Sequence, residues 1–184
     1  KIIGFDCGPG NILLDQWIKI QQNKNFDNHG GWAKSGKLVD DLLNNFKKDL
    51  FFKKKPPKST GRELFNIDWL NKFDIMSHPA KDVQRTILEL TVVTINDAIR
   101  NFCPGVDEIY ICGGGCRNKF LINRLEGITG LNINTTDKLN VPSQQVEAAA
   151  FAWLAKKCIQ KKFNNSPAVT GSQGPRILGA IHYS

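Results

Sequence analysis

The sequence predicts an α/β domain with helices laid on a mixed or parallel sheet. Strand-like apolar runs alternate with helical periodicity along the chain, and one unbroken helical pattern runs from Ala80 to Phe102. Two of the strand-like runs empty into glycine-rich turns, Asp6-Cys7-Gly8-Pro9-Gly10-Asn11 and Cys112-Gly113-Gly114-Gly115-Cys116-Arg117-Asn118. Sheets of this kind bind ligands beyond the carboxyl ends of their strands, so these two turns are where function is sought first.

Taken in order, Lys1 to Phe5 reads as a strand already under way. Ile12 to Gln21 places Ile12, Leu13, Trp17, Ile18 and Ile20 at spacings that suit a helix packed on it. A polar loop follows from Asn23 to Gly31. From Lys37 to Phe46, Leu38, Val39, Leu42, Leu43 and Phe46 share one face of an amphipathic helix. Lys53 to Gly61 is an irregular connector, because Pro56-Pro57 cannot continue a helix. Asn66 to Phe73 suits a short helix. In Ala80 to Phe102, Val83, Ile87, Leu90, Thr91, Thr94, Ile95 and Ala98 recur as in a core helix, and Pro104-Gly105 stops it. Beyond it come a buried strand at Glu108 to Cys112, a helix at Asn118 to Leu125, a strand at Leu131 to Thr135 and a long helix at Gln144 to Lys161. The alanines of that last helix, Ala148 to Ala150, permit close packing on the sheet.

With 184 residues and 41% hydrophobic content the chain can bury one sizeable core, which points to a single domain. A net charge of +8 invites a nucleic-acid reading, but the aromatics do not interleave with the lysines as a base-stacking surface requires. Lys53-Lys54-Lys55 and the lysines around position 160 are read as solvated faces that also attract anions. The 5 cysteines are an odd number set mostly in apolar stretches, as expected of buried free thiols in a reducing compartment. Cys112 and Cys116 lack the second pair that a zinc site needs. No apolar run is long enough to span a membrane, no signal peptide is evident, and a cytoplasmic chain is expected. Because it opens mid-strand and its 1 methionine is Met76, it is expected to be a piece of a longer protein.

Each candidate site residue has a functional and a structural reading. Gly113, Gly114 and Gly115 let a nucleotide approach the main chain, and they equally serve a tight turn with no ligand. Asp6 at a strand end beside Gly8 and Gly10 can organise a metal ion or its waters near a phosphate, or cap the next turn. Glu147 can accept hydrogen bonds from sugar hydroxyls, or complement the dipole of the helix it opens.

The residues also carry a specific resemblance. Gly4-Phe5-Asp6-Cys7-Gly8-Pro9-Gly10-Asn11 with Leu14-Asp15-Gln16-Trp17 is similar to the GFDTGPGN-x-LLDAW segment of the anhydro-N-acetylmuramic acid kinases. Pro56 to Glu63 resembles their PPKSTGRE connector, and Cys112 to Asn118 resembles their CGGGARN turn with Cys116 in place of the alanine. Asp82-Val83-Gln84, Leu88-Glu89-Leu90-Thr91, Thr135-Thr136-Asp137, Val146 to Ala155 and Pro167 to Gly171 extend the likeness over essentially the whole chain.

The resemblance implies the ribonuclease H-like fold shared by sugar kinases, actin and heat-shock chaperones, with residues 1–184 as the C-terminal lobe of two. It implies a bacterial cytoplasmic enzyme of peptidoglycan recycling that uses ATP, Mg2+ and water to convert 1,6-anhydro-N-acetylmuramic acid into N-acetylmuramic acid 6-phosphate. In that reading the N-terminal lobe and the catalytic base lie upstream, and the full-length enzyme is a homodimer. Gly113, Gly114, Gly115 and Asn118 would face the nucleoside. Asp6, Gly8 and Gly10 would face the phosphates and magnesium. Glu147, with Lys58 and Arg62 of the connector, would contact the sugar, although the connector equally serves to fix loop shape or a subunit contact. Cys7 stands where the family more often has threonine, which removes a hydroxyl. A non-catalytic nucleotide-binding or dimerisation module is the alternative.

Overall fold

A computed structural model describes residues 2–182 of the chain. Its centre is a single helix, Ala80–Phe102, around which shorter helices assemble. Helix α1 spans Ile12–Gln22, α2 Gly31–Ser35, α3 Asp40–Phe46, α4 Leu50–Lys53, α5 Ile67–Leu70 and α6 Ala80–Phe102. Strand β1 (Ile109–Ile111), α7 (Lys119–Thr129) and β2 (Ile133–Thr135) follow, then α8 (Val146–Ile159) and α9 (Pro167–Thr170).

Helix α6 is buried on nearly all sides between Val83 and Val92 because α1, α2, α3 and α7 each pack on a different part of it. Leu13, Leu14, Trp17 and Ile18 form the buried stripe of α1, and the Trp17 indole donates to the Ala80 carbonyl at 2.8 Å, fixing where α1 meets the start of α6. Under the connector, Phe46, Phe51, Phe65 and Trp69 are buried ring against ring. Edge-to-face pairs of this kind add about 0.5–1.5 kcal/mol beyond the area they bury.

One charge cluster is buried in the same region. Glu89 on α6 accepts from Arg85 one turn earlier at 2.6 Å and from Arg124 on α7 at 2.6 and 3.1 Å. Burial alone would raise its pKa, but the bonds from Arg124 and Arg85 prevail and hold the carboxyl below its ordinary value. Helix α7 starts on an Asn118 cap, whose Oδ1 accepts from the Leu121 amide, and ends at Gly130 in the left-handed region.

Helices flank a small sheet, as the sequence predicts, and among the described residues that sheet is a parallel pair with Ile109 opposite Ile133 and Ile111 opposite Thr135. Several expectations are corrected. Lys1 lies outside the described residues, and Ile2 to Phe5 form no strand because no neighbour pairs with them; the Asp6 amide bonds instead to the Lys58 carbonyl at 3.1 Å. Strand β1 is half-buried rather than buried, since one parallel neighbour covers it only in part. The loop after α1 contains a helical turn at Asn28–Gly30 and the start of α2, nucleated by Asp27, whose carboxylate accepts from the amides of Trp32 and Ala33 at 2.9 Å each. Helix α3 begins only at Asp40, with Leu38 and Val39 packed on the core in the approach to it. The cysteines are free thiols but none is fully buried: Cys103 and Cys112 sit exposed at the ends of α6 and β1, and Cys7, Cys116 and Cys158 are half-buried. The largest departure is α8, which has no buried residue at all. No helix among the described residues is long and apolar enough to cross a membrane.

Candidate functional site

The two glycine turns meet in space. Asn11, directly before α1, reaches the second turn, where its amide nitrogen stands 3.4 Å from the position of a Cβ added to Gly115. Sequence separation hides this neighbourhood, and α6 creates it by supporting the first turn from below. Thr91 donates to the Gly10 carbonyl at 2.9 Å, and Gly8 lies so close to α6 that a Cβ there would stand 2.6 Å from Thr94 Oγ1.

Asp6 heads the first turn. Its Oδ2 accepts from the Ser59 hydroxyl at 2.9 Å and from the Thr60 amide at 2.8 Å, so the 58–60 connector is fastened directly to it. Oδ1 is bonded to none of the described residues and remains available. Asp6, Cys7, Gly8 and Gly10 line a small cavity of about 200 Å³. Burial pushes the Cys7 thiol above its ordinary value, so a neutral, weakly bonding group occupies the position after the aspartate.

The second turn is built for approach. Gly113 has φ +77°, a conformation L side chains rarely adopt, and its amide donates to the Ser143 carbonyl at 2.8 Å. Its carbonyl accepts from the Gln144 amide at 2.9 Å and from the Cys116 thiol. A Cβ on Gly114 would meet no described residue within 4 Å. There a cavity of about 470 Å³ opens, within the range that holds a small-molecule ligand. Asn11, Asp15, Asn25, His29, Arg117 and Asn118 contribute to its lining, and His29 Nδ1 lies 3.0 Å from the Arg117 carbonyl, joining the loop after α1 to the turn. Because Asn118 commits its carbonyl oxygen to capping α7, only its NH2 can be offered to a ligand.

The other sequence candidates lie apart from this cavity. Arg62 lines a neighbouring cavity of about 510 Å³ with Asp15, Gln16 and Asn66. Lys58 donates to the Phe51 carbonyl at 3.2 Å and sits 4.5 Å from the centre of the Phe51 ring. With Lys53, Lys54 and Lys55 it lines a basic cleft, where burial lowers the Lys58 pKa. Glu147 is exposed in the first turn of α8, outside all of these cavities.

Sequence reasoning passed over Asp15, Asn25, Asn28 and His29, which line the same cavity as the glycine turn. The signal was the density of asparagine, aspartate and histidine between Asn23 and Gly31, which reads equally as an ordinary polar loop. Among the described residues no group of three or more His, Cys, Asp or Glu side chains is arranged to hold a metal ion. A single carboxylate such as Asp6 nevertheless fits magnesium, which takes one or two protein carboxylates and completes its shell with phosphate and water.

A glycine turn after a parallel strand, a carboxylate-headed glycine loop beside it and an open cavity between them define an α/β protein with a candidate small-molecule site. The sequence profile of the anhydro-N-acetylmuramic acid kinase family matches residues 1–184. Proteins of that name from Nitrosomonas europaea and Pseudomonas syringae pv. tomato are 47% identical over 180 residues and 46% identical over 182, each alignment covering 97% of this chain and 50% of the relative. The Ralstonia nicotianae protein is 44% identical over 186 residues, 99% of this chain and 49% of its own. The chain belongs to the anhydro-N-acetylmuramic acid kinase family, and it spans about half the length of these curated relatives.

Proposed function

We propose that this chain is the C-terminal, ribonuclease H-like lobe of a kinase that acts on 1,6-anhydro-N-acetylmuramic acid with ATP, and that it supplies the nucleotide wall of the cleft. The observation that carries this reading is the contact of the two glycine turns, with Asp6 at the head of one and an open cavity beside Gly114 in the other. In the reaction water adds to the anomeric carbon and its proton passes to a base. The bond from that carbon to O6 breaks, and O6 takes the γ-phosphoryl group as ADP leaves. When bound, Mg2+ neutralises charge on the phosphates. The residues of this chain bind and orient. Gly113 to Gly115 admit the nucleoside to the backbone, and Asn118 offers its NH2. Asp6 presents Oδ1 toward the phosphate and magnesium region while the connector holds Oδ2. Glu147, Arg62 and Lys58 are assigned to the sugar side, reached when the lobes close.

The test is ADP release with 1,6-anhydro-N-acetylmuramic acid and Mg-ATP, in the protein completed to the length of its relatives. Turnover is expected. Gly114→Trp fills the open space beside the turn and is expected to raise the ATP KM by about tenfold or more, equivalent to about 1.4 kcal/mol of binding. Turnover with unchanged ATP kinetics in that variant would remove the nucleoside from this cavity. No turnover in the parent protein would remove the substrate assignment.

A further inference from the structure

Asp15 is an acidic residue whose side chain no described residue bonds or pairs with, so that beyond the dipole of α1 the fold gives it no partner. It lines both the cavity of about 470 Å³ beside Gly114 and the neighbouring one of about 510 Å³. Its carboxylate accepts no hydrogen bond from any described residue, and no cation pairs with it among them. Asp27, which lines the first cavity too, differs: both of its oxygens are committed to the amides of Trp32 and Ala33. Asp27 is therefore structural, while Asp15 keeps two oxygens and their full acceptor capacity for something outside the chain.

That unpaired carboxylate has a cost. Burial, and then the neighbouring charge of Asp27, push its pKa up to about 6. A carboxylate perturbed by burial and a specific charge neighbour, left without a partner on a cavity wall, is a candidate ligand contact. The surroundings narrow the ligand. Asn11, Asn25 and Asn28 supply neutral amides, Phe26 an exposed ring, and Gly114 a bare backbone across the cavity. Amides, one uncommitted carboxylate, an aromatic face and the cations Arg117 and Lys119 suit a hydroxylated, ring-bearing ligand that also carries negative charge.

We propose that Asp15 is a nucleotide-recognition residue that accepts hydrogen bonds from the vicinal 2′- and 3′-hydroxyls of the ribose. A diol offers two donors in a spacing that the two carboxylate oxygens match, and such charge-assisted bonds are about twice as strong as neutral ones. This assignment rests on the nucleotide reading of the cavity and deepens it by fixing which end of the nucleoside faces α1.

The experiment measures equilibrium binding of Mg-ADP, 2′-deoxy-ADP and 3′-deoxy-ADP to the full-length protein and to its Asp15→Asn and Asp15→Ala variants. The parent protein is expected to prefer the ribonucleotide by about tenfold over either deoxy form, as loss of one hydrogen bond to a charged group predicts. In both variants that preference is expected to fall to within about twofold, with melting temperatures at or above the parent's, since the removed charge has no partner in the fold. A parent that binds no ADP overturns the nucleotide reading itself. A parent that binds ADP, with variants that keep both affinity and ribose preference, overturns the role of Asp15 and leaves the nucleotide reading standing.

Discussion

Helices α6 and α8 are the two longest of the chain, and their burial runs opposite to their composition. Helix α6 carries Lys81, Asp82, Gln84, Arg85, Glu89 and Asp97, yet Val83, Ile87, Leu88, Leu90 and Val92 are all fully buried. Helix α8 is richer in alanine and large apolar residues, yet Phe151 is 65% exposed, Trp153 49% and Ile159 69%. Burial here is decided by which surfaces the same chain can lay against a helix. Four helices converge on α6, and its charges survive burial because Glu89 gathers both arginines. Against α8 the chain lays the tail from Asn164 to His182, which meets it along a cavity of about 680 Å³ walled by Phe151, Leu154, Cys158 and Leu178. Hydrophobicity supplies the drive to be covered but not the cover.

Matched tryptophans test the contrast most strongly. Trp69 is 1% exposed, wedged between Phe46, Phe65 and Phe73, and bonded through its indole to Asp49 at 2.8 Å. Trp69→Ala is expected to cost about 3–5 kcal/mol, the usual toll for emptying a buried aromatic site. Trp153→Ala on α8 should cost less than about 1 kcal/mol, as exposed substitutions do. Urea unfolding of both variants decides it, and similar losses at the two positions would mean that α8 is as well packed as α6.

The next effect is electrostatic and confined to the α6 side. Glu89→Ala leaves Arg85 buried without a counter-charge, which costs about 3 kcal/mol or more. The same cluster sets a pH response. Because the folded carboxyl titrates below its ordinary value, its stabilisation is complete above the unfolded value of about 4.5 and is lost as pH falls through the folded one. The melting temperature of the parent should therefore fall more steeply below about pH 4.5 than that of the Glu89→Ala variant. Parallel acid profiles would show that the cluster adds nothing.

Legibility follows the same division. Where apolar periodicity is sustained, it located the helix: Ala80–Phe102 matches the predicted helix end to end, α1 runs one residue longer at its C-terminus, and α7 starts one residue later, after its Asn118 cap, and runs on to Thr129. Where burial depends on a partner, pattern misled. The strand-like Ile2 to Phe5 pair with no neighbour among the described residues, and the alanines of α8 are exposed rather than packed on the sheet. The glycine turns were legible as turns because Gly113 requires a positive φ, but nothing in the sequence tells that Asn11 touches Gly115. That contact is a product of α6, whose Thr91 and Thr94 set the height of the first turn. Asp15 was invisible for the opposite reason. A lone aspartate in the first turn of a helix is favoured by the helix dipole, so only the finding that it bonds to nothing separates it from a routine helix-start residue.

The smallest effect concerns what does hold the α8 region together. Asn164 is 5% exposed and acts as a polar staple: its amide donates to the carbonyls of Leu154 at 3.0 Å and Leu178 at 3.1 Å, and its Oδ1 accepts from the Leu178 amide. Asn165 repeats the arrangement a residue later, accepting from the Arg176 amide at 2.7 Å and donating to the Gly174 carbonyl at 3.0 Å. Where α6 is fixed by apolar packing, α8 is fixed to the tail through the side-chain amide of Asn164, while Asn165 ties the tail to itself. Asn164→Ala strands three backbone groups, at about 1–3 kcal/mol, but the loss should stay local because few apolar contacts transmit it to the core. Hydrogen exchange is the measurement: Leu178 and its neighbours should lose protection while Val83 to Val92 keep theirs. If the α6 amides lose protection equally, the two regions unfold as one unit and the contrast between them is one of exposure alone.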